Sequence, residues 1–237
     1  MNDNLNINKA CRKYLLKDTD VRLNIILTLL IAIGFNFLLY KNVFASRGDA
    51  YVLLMLYVFI LGFTIIGSNA MVVNLTAKDK LNKRIEFILA SGFDIKDIIR
   101  SYTKEMWVIS SIPSFVLFFM TYVIYDFKID FKLIFAVYIS LFIMLYFEIL
   151  LFNIISLYQK NFKFFKNLVF FVSSLLIYLV ASFSKHIIEF IEKHNINLVY
   201  VLLGINIVLI IIFASLSIIK YKKLSNEAII NKEGTWS

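Results

Sequence analysis

Residues 50–77 read AYVLLMLYVFILGFTIIGSNAMVVNLTA, 28 positions without one Asp, Glu, Lys or Arg. A helix needs roughly 20 apolar residues to cross the hydrocarbon core of a bilayer. The run exceeds that length, and it does not alternate polar with apolar as barrel strands do. A helix also satisfies its own backbone groups in lipid. The sequon-like Asn74-Leu75-Thr76 falls at the inner end of the run and is a chance match.

Four more stretches are free of charge: 23–40, 106–125, 167–184 and 194–219. A sixth, 133–159, is interrupted only by Glu148. These predict six transmembrane helices at about 23–40, 51–74, 106–125, 132–158, 167–184 and 197–219. The expected fold class is an all-α polytopic membrane protein, with 1–237 a single transmembrane domain. The first run is no cleaved signal peptide: about twenty polar residues precede it and no small-residue cleavage site closes it.

Composition agrees. The chain is 60% hydrophobic and 17% charged, with a mean hydropathy of +0.80. Ordinary soluble domains are about half apolar and a quarter charged, so a soluble enzyme and a secreted domain are excluded. One proline and seven glycines exclude a fibrous or disordered chain. A single cysteine, Cys11, excludes a disulfide framework and a cysteine-built metal site. His186 and His194 stand eight apart without companion ligands, which predicts no zinc site.

The Lys and Arg distribution sets orientation. Six spans put 19 of the 25 on one side, among them Lys9, Arg12, Lys78, Lys96, Lys166 and Lys222. Only Lys41, Arg47, Lys128, Lys132, Lys185 and Lys193 fall on the other. Both termini are therefore expected in the cytoplasm. The net charge of +9 then reflects topology and contact with anionic membrane lipids, not nucleic acid. Trp107, Tyr40, Tyr51, Tyr125, Tyr158 and Tyr221 sit near span ends, where amphipathic rings prefer the interface.

Three stretches outside the spans carry pattern. In 5–19, Ile7, Ala10, Cys11, Tyr14 and Leu15 share one helix face against a basic remainder. That predicts a helix lying in the membrane interface. In the cytoplasmic segment 78–105, Leu81, Ile85, Ile88 and Leu89 form one apolar face, and Ile95, Ile98, Ile99, Tyr102 and Met106 a second. Gly92 can end the first helix and Asp94 can cap the next, so two short amphipathic helices around a turn are expected. Glu86 is a candidate for pairing with Lys83 one turn back. The third stretch, 184–197, reads as a solvated outer loop or a short interfacial turn of helix.

The segment from Lys83 to Ile99, KRIEFILASGFDIKDII, resembles the stretch after the second span of ATP-binding-cassette type-2 permeases. Ile85-Glu86 stands for the family's Leu-Glu pair, Ile88-Leu89 for its apolar pair and Ala90-Ser91 for its small pair. Lys104 stands for its closing lysine. Gly92 replaces the usual proline, Arg84 replaces a common threonine, and Lys104 falls two residues late. The layout of basic interfacial helix, six spans and cytoplasmic helix pair matches the family over nearly the whole chain. The resemblance implies a coupling helix that docks on a cytoplasmic ATPase subunit through Ile85, Glu86, Phe87, Ile88, Leu89, Ser91, Gly92, Phe93 and Asp94. It implies two ATPase subunits, a second permease copy or a paralogue, and ATP with Mg on the partner rather than on this chain. It also implies an exporter of an amphipathic peptide, antibiotic or lipid in a bacterial plasma membrane.

Within the spans, Glu148 is the one deep ionisable residue, with Asn69, Asn153 and Asn206 as polar companions at other depths. Such residues mark a substrate path or gate, or else interhelical contacts. Pro113 falls in the third span, where it can kink the helix, beside Ser110, Ser111 and Ser114, which can satisfy freed backbone groups or allow close packing, with core packing their expected role. No phosphate-binding loop, zinc helix or nucleophile elbow occurs, so the chain is expected to hydrolyse no ATP itself and to be no enzyme. Two other readings remain open: a membrane enzyme centred on Glu148, and a non-transporting anchor or immunity protein that binds a partner through 78–105.

Overall fold

The computed structural model describes residues 2–159 and 161–230, without the side chains of 2–6, 169, 172, 173, 176, 177, 180 and 181. The described residues form ten α-helices and no strand. They are α1 (Asn2–Lys17), α2 (Thr19–Tyr40), α3 (Asp49–Met71), α4 (Lys78–Leu81), α5 (Arg84–Ala90), α6 (Ile95–Ile124), α7 (Phe131–Tyr158), α8 (Phe162–Lys193), α9 (Leu198–Lys222) and α10 (Asn226–Ile230). A π-helical stretch, Val72–Ala77, joins α3 to α4 without a break. Five helical rods among the described residues are long and apolar enough to cross a membrane: Thr19–Tyr40, Asp49–Leu81, Ile95–Ile124, Phe131–Tyr158 and Leu198–Lys222. The fifth expected span, 167–184, runs through α8, where part of its length lies outside the described side chains. Lys160 and Lys232, counted on the basic side, also lie outside the described residues.

Short polar side chains start the helices. Asp18 accepts from the Asp20 and Val21 amides to begin α2. Asp94 accepts from Lys96 N–H at 2.8 Å to begin α6, as expected. Asp130, Asn161 and Asn197 do the same for α7, α8 and α9. Each cap satisfies an amide that the helix leaves without an internal partner.

α3 and α7 supply much of the buried surface, with α2, α6, α8 and α9 packed around them. One core joins Phe35, Leu56, Phe118, Leu141 and Leu202 toward one end of the bundle. A second joins Leu15, Leu75, Ile98, Met106 and Ile154 toward the other, the end expected in the cytoplasm. Hydrogen bonds cross the helices where apolar packing alone gives no register. Trp107 Nε1 donates to Phe142 O at 2.9 Å, Ser217 Oγ to Phe147 O at 2.9 Å, and the Thr64 and Ser114 hydroxyls meet at 2.5 Å. Outward faces of α2, α8 and α9 carry exposed Leu27, Leu30, Phe171, Ile207 and Ile211. Such broad apolar exposure belongs in lipid rather than water.

Several expectations change. Residues 78–105 do not form two separate short helices. The second amphipathic face is the first three turns of α6, continuous with the third span. The first helix is broken at Asn82 and Lys83, where Lys83 takes a left-handed φ of 56°. Residues 184–193 are not a loop but the last turns of α8, closed by His194 against Phe190. The apolar face of α1 does not stand free for the bilayer: Cys11 and Leu15 are buried against α6 and its neighbours. α6 continues through Pro113, and Ser110, Ser111 and Ser114 are buried as packing residues, with Ser110 and Ser111 bonded to Trp107 O, not to the carbonyl that the proline frees.

Candidate functional site

The segment singled out by its patterning stands at the end of the bundle as a braced projection. Ile85 is fully buried and Leu89 nearly so, which anchors one side of α5 in the core below. Phe87, on the opposite side, is 74% exposed. Ser91, Gly92 and Asp94 are exposed beside it, while Ile88 and Phe93 are half-buried. α5 thus offers an aromatic ring and a polar turn while its other face holds it down. Gly92 has φ 91°, and its N–H donates to Leu89 O at 3.0 Å to close the helix. A proline, fixed near φ −65° and lacking that N–H, cannot take this place.

Charges brace the projection from beneath. Asp79, nearly fully buried, takes the Arg84 guanidinium at 3.1 Å and the Tyr102 hydroxyl at 2.9 Å. The Asp79 carboxylate holds the Arg84 guanidinium above its ordinary pKa. Arg84 also lies over the Tyr14 ring of α1 at 5.2 Å. Glu86 does not pair with Lys83. It pairs with Lys80 at 3.4 Å, because the left-handed Lys83 ends the register that would place residue 83 one turn behind. Lys80 is only 4% exposed and also donates to Ile229 O of α10. Burying an ammonium is tolerable only with such partners.

Two braces went unseen in the sequence. Arg12 of α1 grips Glu105 with two bonds, 2.6 and 3.1 Å, and Glu105 is 1% exposed. The paired, buried carboxylate raises the Arg12 pKa. Residue 105 lies seven after Ile98, so its inward phase was readable from the helical period. The other brace is α10. Ile229 is buried, and Asn226 Oδ1 accepts from Ile95 N–H at 2.9 Å at the start of α6. Nothing in the local pattern of so short a helix announces that contact.

The four interior candidates fall into three separate hydrogen-bonded sets. Glu148, 1% exposed, receives Ser68 Oγ and Asn69 Nδ2, each at 3.5 Å. Asn153 binds a different set: Thr76 donates to its Oδ1, and its Nδ2 reaches Thr103 Oγ1 at 3.2 Å. Asn206 lies in the other core, where Tyr57 donates to its Oδ1 at 2.7 Å and it donates to Ser140 Oγ at 2.8 Å. Of the other three candidates, only Asn69 shares a hydrogen bond with Glu148. Among the described residues no cluster of metal ligands occurs. No family model, curated protein or solved structure matches this chain.

Proposed function

We propose that the chain is the transmembrane permease subunit of an ATP-driven exporter, with α5 as its coupling helix. One observation carries the reading: a short helix anchored by Ile85 and Leu89, braced by two buried charged residues, holds Phe87 out into solvent. Exposing a large aromatic on so rigid a mount costs free energy unless a partner covers it. A docking element that transmits force needs this combination of anchor, brace and apolar tip. Long apolar helices behind it supply the membrane domain.

In this reading two permease copies, or one copy and a paralogue, sit over two cytoplasmic ATPase subunits that hold ATP and Mg. The chain spans a bacterial plasma membrane six times with both termini inside. ATP-driven closure of the ATPases pushes on α5. Arg84–Asp79 and Lys80–Glu86 pass the motion to the Asp49–Leu81 rod, and Ile95 passes it to α6. The cargo is an amphipathic or hydrophobic molecule. Affinity purification from the native membrane in mild detergent tests the assignment. A nucleotide-binding ATPase should accompany the wild-type chain and be lost with Phe87→Asp, which leaves the buried face of α5 untouched. A wild-type chain that brings down no ATPase overturns the assignment and returns attention to the anchor reading.

A further inference from the structure

Beside α3 lies a groove that the proposed docking does not use. α2 and α8 both pack on α3. Between them opens a cavity of about 380 Å³ with Leu23, Ile66, Val73, Phe165 and Phe170 in its apolar wall. A second cavity of about 300 Å³ shares Asp20, Val73, Asn74 and Lys166 with the first and continues to Lys78 and Asn82. The two form one groove. From residue 66 to residue 78 a helix climbs about 18 Å, so the groove runs from apolar depth to the basic end of the bundle.

Its polarity is graded along that climb. The deep end is mostly aliphatic and aromatic, with the uncharged Asn24 and Asn69 as its polar lining, and Leu23 and Phe170 at its lip are exposed. The outer end holds Lys78, Lys166, Asn74 and Asn82. Among the described residues Asp20 is the one carboxylate lining it, and Asn74 Nδ2 reaches its Oδ2 at 3.4 Å. Two lysines against one aspartate leave a single positive charge among the lining residues. A phosphodiester with one negative charge neutralises it, whereas a zwitterionic headgroup leaves it uncompensated. Basic pockets between helices at the cytoplasmic face suit anionic headgroups on these grounds.

We propose that this groove binds one anionic phospholipid of the cytoplasmic leaflet. Its phosphate sits at Lys78 and Lys166, and one acyl chain lies along Ile66, Val73, Phe165 and Phe170. The second chain leaves past the exposed lip into the bilayer. The site belongs to this chain alone and needs no ATPase.

Native mass spectrometry of the full chain in detergent tests it, with phosphatidylglycerol and phosphatidylcholine of identical acyl chains as probes. Wild type should retain phosphatidylglycerol about ten-fold better than phosphatidylcholine. The double variant Lys78→Gln, Lys166→Gln should lose that preference, with its elution and helical circular dichroism unchanged. The control Lys220→Gln, Lys222→Gln, basic positions that do not line the groove, should keep it. Excess glycerol phosphate should fail to displace the lipid. Equal retention of the two lipids overturns the proposal, as does an equal effect of the control pair, which would mark diffuse attraction. Displacement by glycerol phosphate overturns the lipid assignment in favour of a bare anion site.

Discussion

Glu105 accepts both of its bonds from Arg12 while almost no part of its side chain meets solvent. Take Arg12 away and the buried carboxylate loses its ion-pair partner, the costly half of a broken buried pair. Arg12→Ala should therefore release α1 from α6 and lower the unfolding midpoint more than Lys13→Ala on the exposed side of the same helix. Thermal melts in detergent decide it; equal midpoints would contradict the brace. Cys11 reports the same docking. Burial, then the Glu105 and Asp79 carboxylates, push its thiol well above the ordinary range. A raised pKa keeps the thiol protonated through neutral pH, and only the thiolate reacts. Maleimide labelling at pH of about 7 should be at least about ten-fold slower in the folded chain than in denaturant. It should stay slow up to about pH 9, where a free thiol is largely ionised. Asn153→Leu strips partners from Thr76 and Thr103 and should cost about 1–3 kcal/mol, read as a shift in the denaturation midpoint.

The helices differ in how plainly their sequences announce them. Charge-free runs gave away the membrane rods, because a run of twenty-eight such residues has no comfortable place in water. Asp94 and Gly92 gave away the turn after α5 through their backbone chemistry. The break at Lys83 had no such signal. A left-handed lysine is a tertiary outcome, set here by the Lys80 and Arg84 contacts on either side of it. The continuity of α6 was half legible: the stripe Ile95, Ile98, Ile99, Tyr102 and Met106 read as a helix, but Lys96, Arg100 and Lys104 on its other face made that helix look separate from the span it runs into. Glu105 and Asp79 were passed over for the same reason: a charge near a span end reads as solvated unless its helical phase is counted. The turn yields its own prediction. Gly92→Ala forces a Cβ into a left-handed backbone and should destabilise α5 by about 1–2 kcal/mol, whereas Ser91→Ala should change little. Hydrogen exchange at the Leu89 and Gly92 amides resolves the two; equal protection in both variants would contradict the cap assignment.

At the scale of the whole molecule, two cores divide the labour. The core around Phe118 and Leu141 holds the rods together. The core around Ile98 and Ile154 also seats α1, α5 and α10, so it joins the membrane domain to the projection. Ile98→Ala should cost about 2–5 kcal/mol by opening a cavity there, and it should weaken ATPase docking without touching Phe87. The polar interior was legible in part. The sequence picked out Glu148, Asn69, Asn153 and Asn206, but not that packing would separate them into three sets. Depth along a helix is readable from residue number, whereas rotation about the bundle depends on neighbours that the sequence does not name.

The central claim is that α5 is a coupling element, and cross-linking from its tip in living membranes tests it most directly. A photoreactive benzoyl-phenylalanine at Phe87, with Val123 at the far end of the bundle as the paired control, is irradiated and the adducts are identified by mass spectrometry. Position 87 should capture a nucleotide-binding ATPase and position 123 should not. Adducts at 87 with lipid alone, or with a protein that binds no nucleotide, would contradict the account.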